Sequence, residues 1–197
     1  SGSKMRNGKL EDYEWQQLNS AVERFSEVPI FIDDTPAINI FELRAKCRRL
    51  KMHHDIQLVI VDYLQLMSAG PEGKRGGTRE QEISTISRAL KTMAKELEVP
   101  VIALSQLSRA VETRGGNKRP QLSDLRDSGA IEQDADIVTF IYRPDYYEME
   151  SDPTISKDAA EILISKHRNG ALGTVGLKFI AQYAKFTDPG DDFFNDI

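Results

Sequence analysis

Four residues stand where their chemistry could serve a phosphate-bearing substrate: Asp62, Gln106, Lys166 and Arg168. Asp62 closes the apolar run Leu58-Val59-Ile60-Val61. A carboxylate at the tip of a buried strand is the Walker B arrangement, a fixed oxygen ligand for the water shell of a Mg²⁺ that bridges nucleotide phosphates. Four apolar residues and an Asp is a common pattern, and an Asp capping the following turn explains it as well. Gln106 ends the next apolar run, and its neutral amide could touch a γ-phosphate or the attacking water. A Gln satisfying strand-end backbone is the plainer account. Lys166 and Arg168 alternate just past a third run; in extended chain they would point the same way and could neutralise phosphoryl charge. A solvated basic turn would look the same.

A second set of residues could meet a polyanion. Between residues 109 and 126 lie Arg109, Arg114, Lys118, Arg119 and Arg126 against Glu112 and Asp124, a net +3. Such a loose, glycine-bearing basic segment could track a phosphate backbone without reading sequence. Asp127-Ser128-Gly129 could turn backbone N–H groups toward a phosphate. No aromatic residue falls between 109 and 134, so base stacking from this segment gains no support. His53-His54 lacks the accompanying ligands of a metal site. A G-x-S-x-G nucleophile elbow is absent.

These residues need elements to hold them. Trp15, Leu18, Val22 and Phe25 form one helical stripe over Leu10–Phe25. Val28–Ile32 reads as a short buried strand closed by Asp33-Asp34-Thr35-Pro36. A helix opening at Asn39, with Glu42 as capping partner, buries Ile40, Leu43, Cys47 and Leu50. Leu58–Val61 has no polar alternation, as expected of a parallel strand covered on both faces. Residues 68–79 read as a Gly-rich basic loop. Ile83, Ile86, Leu90, Met93 and Leu97 then define an amphipathic helix. Strands follow at 99–104, 136–142 and 161–165, with a terminal hairpin from Val175–Ile180 and Tyr183–Thr187. Helices alternating with apolar strands predict an α/β fold with a largely parallel sheet. In such sheets ligands bind at the carboxyl ends of strands, where Asp62, Gln106 and the Lys166/Arg168 pair all fall.

Composition sets the outer bounds. Among 197 residues, 40% are hydrophobic and 29% charged, ordinary values for a globular domain. One cysteine, Cys47, excludes an intramolecular disulfide or a Cys-rich zinc site. No run approaches the roughly 18 apolar residues of a membrane span, and no secretory pattern opens the chain, so a cytoplasmic protein is expected. The net charge of −5 speaks against nucleic acid only as an average. Four aspartates in the tail from Asp188 to Ile197 supply −4 of it, leaving −1 for the rest.

Taken together, the motifs resemble the motor domain of bacterial replicative DNA helicases, the DnaB family of RecA-like hexameric ATPases. The resemblance runs through IDDTPAINIFELRAKCRRL at 32–50, LVIVDYLQLM at 58–67, VPVIALSQLSRAVETR at 99–114, KRPQLSDLRDSGAIEQDADIV at 118–138, ISKHRNGALGTVGLKF at 164–179 and YAKF at 183–186. It covers nearly the whole chain in the family's order. The resemblance implies a RecA-like, mostly parallel sheet flanked by helices, with a C-terminal β-hairpin. It implies that Asp62 is the Walker B aspartate, Gln106 the sensor glutamine, and Lys166 with Arg168 the pair reaching the γ-phosphate held by a neighbouring subunit. Arg126, Asp127 and Gly129 then fall in the loop that holds single-stranded DNA in the ring's channel, with Arg109, Arg114, Lys118 and Arg119 as further candidates. ATP and Mg²⁺ are the implied cofactors; single-stranded DNA, a homohexamer of the chain, primase and a helicase loader are the implied partners, at the nucleoid.

One departure matters. Nowhere do these residues contain G-x-x-x-x-G-K-[ST]. The expectation is therefore the C-terminal part of a motor domain, truncated on the N-terminal side and inactive alone, with an exposed sheet edge where a central strand is missing. Residues 1–3 read as left by cloning, 4–187 as the partial motor domain, and 188–197 as a disordered acidic tail. Two other readings compete: a RecA-like recombination or repair ATPase, and a non-catalytic module binding single-stranded DNA or a partner.

Overall fold

A computed structural model describes residues 2–70, 78–115, 118–147 and 158–190, with the backbone alone for 126–128, 145 and 147. The expected features of the Gly-rich loop that fall on 71–77 and of the tail that fall on 191–197 lie outside the described residues, as do residues 148–157. The chain divides into two units, Pro29–Val138 and a second made of Ser1–Val28 with Thr139–Ile197.

The terminal unit begins with α1 (Gly2–Arg6) and α2 (Asp12–Ser26). Gly2 N–H donates to the Gln182 carbonyl at 3.2 Å, and Lys4 pairs with Glu14 at 2.9 Å. The α2 stripe is present in the pattern but not in the burial. Trp15, Val22 and Phe25 are 46%, 57% and 66% exposed, and no residue of α2 is buried.

Where the unit Pro29–Val138 begins, the run Val28–Ile32 departs from expectation: it forms no strand, and Ile32 is 89% exposed. An apolar run becomes a strand only where another strand offers its hydrogen bonds, and none does so here among the described residues. Just beyond, Asp33 accepts the Thr35 N–H at 3.0 Å and pairs with Lys46 at 2.7 Å. The Lys46 bond, with help from Thr35, lowers the Asp33 pKa to about 2.

Next, α3 (Ile40–His54) starts at Asn39, whose side chain accepts the Phe41 and Glu42 N–H groups. Its Ile40 and Cys47 join a core with Val59, Val61, Leu64, Ile83, Ile86, Leu90 and Met93. Helix α4 (Arg79–Leu97) is built as its sequence demands. Thr78 and Gln81 form a reciprocal capping box, and all five expected apolar positions are buried, Ile86 and Met93 completely. Burial of each such side chain contributes about 1.5–3 kcal/mol.

Strands β1 (Val59–Val61) and β2 (Val101–Ala103) pair in parallel, Val61 opposite Ala103. Only one face of this pair is covered: Val59 and Val61 are buried, while Ile60 and Ile102 are 61% and 49% exposed. The expectation of cover on both faces fails, because α3 and α4 pack on one side and nothing among the described residues of this unit lies on the other. Short helices α5 (Ala110–Thr113) and α6 (Gly129–Asp134) follow.

Strand β3 (Ile137–Tyr142) begins at the boundary and leads into α7 (Pro144–Tyr147), β4 (Ala159–His167), β5 (Gly173–Ile180) and β6 (Lys185–Thr187). These strands form one sheet in the order β3-β4-β5-β6. β5 runs antiparallel to β4 and to β6, so the expected hairpin is part of a larger antiparallel sheet. Val138, Phe140 and Tyr142 alternate inward with period two. Phe179 meets Phe186 at 4.8 Å, with the Arg143 guanidinium 4.1 Å above the Phe179 ring.

Candidate functional site

The parallel pairing sets two of the candidate residues side by side. Asp62 follows the last residue of β1, and Gln106 lies three residues past the end of β2. Backbone bonds tie these tips together: Leu104 N–H donates to Val61, and Leu64 N–H donates to Leu104, each at 2.9 Å. The Asp62–Tyr63 peptide is cis. The Asp62 carboxylate is exposed and takes part in no hydrogen bond or ion pair among the described residues. The Gln106 side chain is exposed too, while its backbone is held firmly.

That hold comes from Gln65, which sequence reasoning missed. Its Oε1 accepts the Gln106 N–H at 3.2 Å, and its Nε2 donates to Ser105 Oγ at 3.0 Å and to the Gln106 carbonyl at 3.3 Å. One amide thus stitches the end of β2 to the turn after β1. That turn (Leu64–Leu66) is in turn fastened to the start of α4. Arg79 donates to the Gln65 carbonyl at 2.7 Å and the Met67 carbonyl at 3.3 Å, and pairs with Glu82, which accepts the Ala69 N–H at 3.1 Å.

A cavity of about 110 Å³ opens here, lined by Gln65, Arg79, Gln106, Ser108 and Asp124 among others. It joins the strand tips to the basic segment. Ser108 N–H donates to the Asp124 carbonyl at 3.0 Å. Asp124 itself is 4% exposed, accepts the Gln121 N–H at 2.8 Å and pairs with Arg114. Arg114 also donates to the Arg119 carbonyl at 3.3 Å.

The strand-holding candidates divide accordingly. Arg126 and Asp127 lie on the 3-10 turn Leu122–Ser128, and Gly129 opens α6 directly after it. Arg109 is exposed at the start of α5, Lys118 and Arg119 are half-buried, and Arg114 is turned inward to Asp124. Lys166 and Arg168 belong to the other unit: β4 carries Lys166 and ends at His167, and Arg168 starts the turn. A Cβ at Gly170 would overlap the His167 ring as it stands, so a side chain there would have to displace that ring.

The donor set suits a metal–nucleotide. An exposed carboxylate offers hard oxygen to Mg²⁺, and a neighbouring amide both donates and accepts. No group of three His, Cys, Asp or Glu able to hold a metal occurs among the described residues. No helix among the described residues is long and apolar enough to cross a membrane.

The profile of the family described as "DnaB-like helicase C terminal domain" matches residues 1–188. The chain is 52% identical over 184 residues to the replicative DNA helicase DnaB of Geobacillus stearothermophilus, and 51% identical to the replicative DNA helicase DnaC of Bacillus subtilis. In both cases 93% of this chain is covered, and the chain spans 39% of the relative's length. A solved ATPase domain superposes with a TM-score of 0.84 at 44% identity, covering 94% of this chain and 64% of that one. A DnaB-like replicative helicase, solved in a study of its interactions with primase, matches with a TM-score of 0.80 at 46% identity over 91% of this chain and 42% of that one.

Proposed function

Because the chain belongs to the DnaB-like helicase C-terminal domain family, we propose that it supplies the strand-tip and DNA-holding part of an ATP-driven hexameric helicase motor that unwinds duplex DNA at the replication fork. The observation that carries this reading is the parallel β1–β2 pair, which sets Asp62 and Gln106 past the ends of adjacent strands, with Gln106 held by Gln65. Asp62 would hold Mg²⁺, and Gln106 would meet the terminal phosphate of ATP. When bound, the metal offsets phosphoryl charge as it builds up. Lys166 and Arg168 do the same from a neighbouring subunit of a homohexamer.

Arg126, Asp127 and Gly129 hold the sugar-phosphate backbone of single-stranded DNA, and the basic side chains of Arg109, Lys118 and Arg119 add phosphate contacts along it. Primase and a helicase loader are the protein partners on this reading, in the cytoplasm at the nucleoid. The recombination-ATPase and binding-module alternatives gain no support from the matched relatives.

The chain holds no G-x-x-x-x-G-K-[ST], so by itself it should not turn over ATP. The test uses the full-length helicase that carries this chain. Asp62→Asn should lower kcat for ATP hydrolysis by ~100-fold or more, as loss of a preorganised charge contact does. Turnover within a few-fold of the parent, or steady hydrolysis by the 197-residue chain above a Lys166→Ala control, would refute the assignment.

A further inference from the structure

In the 109–126 segment Arg114 points inward, to a carboxylate that is 4% exposed. Asp124 is tied on three sides. Its side chain receives Arg114 and the Gln121 N–H, and its carbonyl receives the N–H of Ser108, two residues past Gln106. Two residues further along the chain from Asp124 stands Arg126. The geometry points to Asp124 and Arg114 as a positioning pair, a buried anchor that fixes the strand-holding segment to the end of β2. Arg114 then acts on DNA through Asp124 rather than by touching phosphate. This rests on the helicase reading above, and deepens it by separating the bases that meet the strand from the base that places them.

The physical ground is the cost of an unpaired buried charge. A carboxylate as enclosed as Asp124 keeps its position because a guanidinium and a backbone N–H share it, and removal of either charge frees the segment. Direct phosphate contact predicts the opposite sign for one variant. If Arg114 gripped DNA, Asp124→Asn would release it and remove a nearby negative charge, and binding would hold or tighten. If the pair is an anchor, the same variant loosens the segment and binding weakens.

The experiment titrates a labelled oligo-dT into the full-length helicase, with a non-hydrolysable ATP analogue, across a series of salt concentrations. The expected result is that Asp124→Asn and Arg114→Gln each weaken binding by ~10-fold, the size of coupling seen for residues in one network. The slope of log affinity against log salt should stay that of the parent. Arg109→Gln, at an exposed base, should instead lower the slope by about 0.7, one single-strand phosphate contact. The doubly neutral variant Asp124→Asn/Arg114→Gln buries no charge and covers the case in which a single variant misfolds; its slope should also match the parent. Equal or tighter binding by Asp124→Asn overturns the anchor, as does a slope lowered by about 0.7 in Arg114→Gln or in the double variant. A parent that shows no salt-dependent single-strand binding overturns the helicase reading itself, and the anchor with it.

Discussion

Gln65→Ala removes three hydrogen bonds at once, two to Gln106 backbone atoms and one to Ser105 Oγ. Each such bond contributes about 0.5–1.5 kcal/mol net, with exposed ones at the low end. Gln106 is exposed and Gln65 is half-buried, so together they hold the end of β2 with about 2 kcal/mol. That corresponds to a roughly 30-fold rise in local opening. The Gln106 amide is the natural probe, because its N–H points at Gln65 Oε1. Hydrogen exchange of the peptide containing Gln106, in the full-length helicase, should quicken by that factor in Gln65→Ala while α4 amides stay protected. Gln65→Glu keeps the acceptor and loses the amide donor, so it should fall between. Unchanged Gln106 exchange in Gln65→Ala, or Gln65→Glu behaving like the alanine variant, would show that the stitch holds nothing.

Three further outcomes are expected. Asp33 has its pKa lowered to about 2 by Lys46 and Thr35, so its contribution to stability is whole above pH ~4 and fades as pH falls toward 2. The urea midpoint of Asp33→Asn should lose that dependence over the same window. Ile86→Ala empties a fully buried site on α4 and should cost about 2–5 kcal/mol in denaturant unfolding. Gly170→Ala places a methyl against the His167 ring, so Tm should fall, and His167→Ala in the same chain should restore most of the loss.

The five apolar positions of α4 could be read from sequence, since they recur within one helix, whereas its Thr78 cap falls in what reads as a Gly-rich loop and appears only in the structure. The Asn39 cap and the strand-end placement of Asp62 and Gln106 were legible for the same reason: each is set by its immediate neighbours. Burial of a stripe is different, because it depends on what lies opposite. Trp15, Val22 and Phe25 keep helical spacing and remain exposed, and Ile30, Phe31 and Ile32 form an apolar run with no strand beside it among the described residues. Gln65 escaped notice because its partners lie 40 and 41 residues away, beyond any local pattern. In the sequence Asp124 is one charge in a sum, whereas its enclosure and its bond to Arg114 appear only when the segment folds back on itself.

Cys47 gives the molecule a clock. It is the only thiol in the chain, 4% exposed in the core that α3 shares with α4, and burial, aided by the Asp33 charge, pushes its pKa up. A coloured thiol reagent therefore reacts only in the moments when that helical seam parts. The rate of colour reads how often α3 lifts away, with no mutation and no attached dye. Whatever tightens the seam will slow that rate.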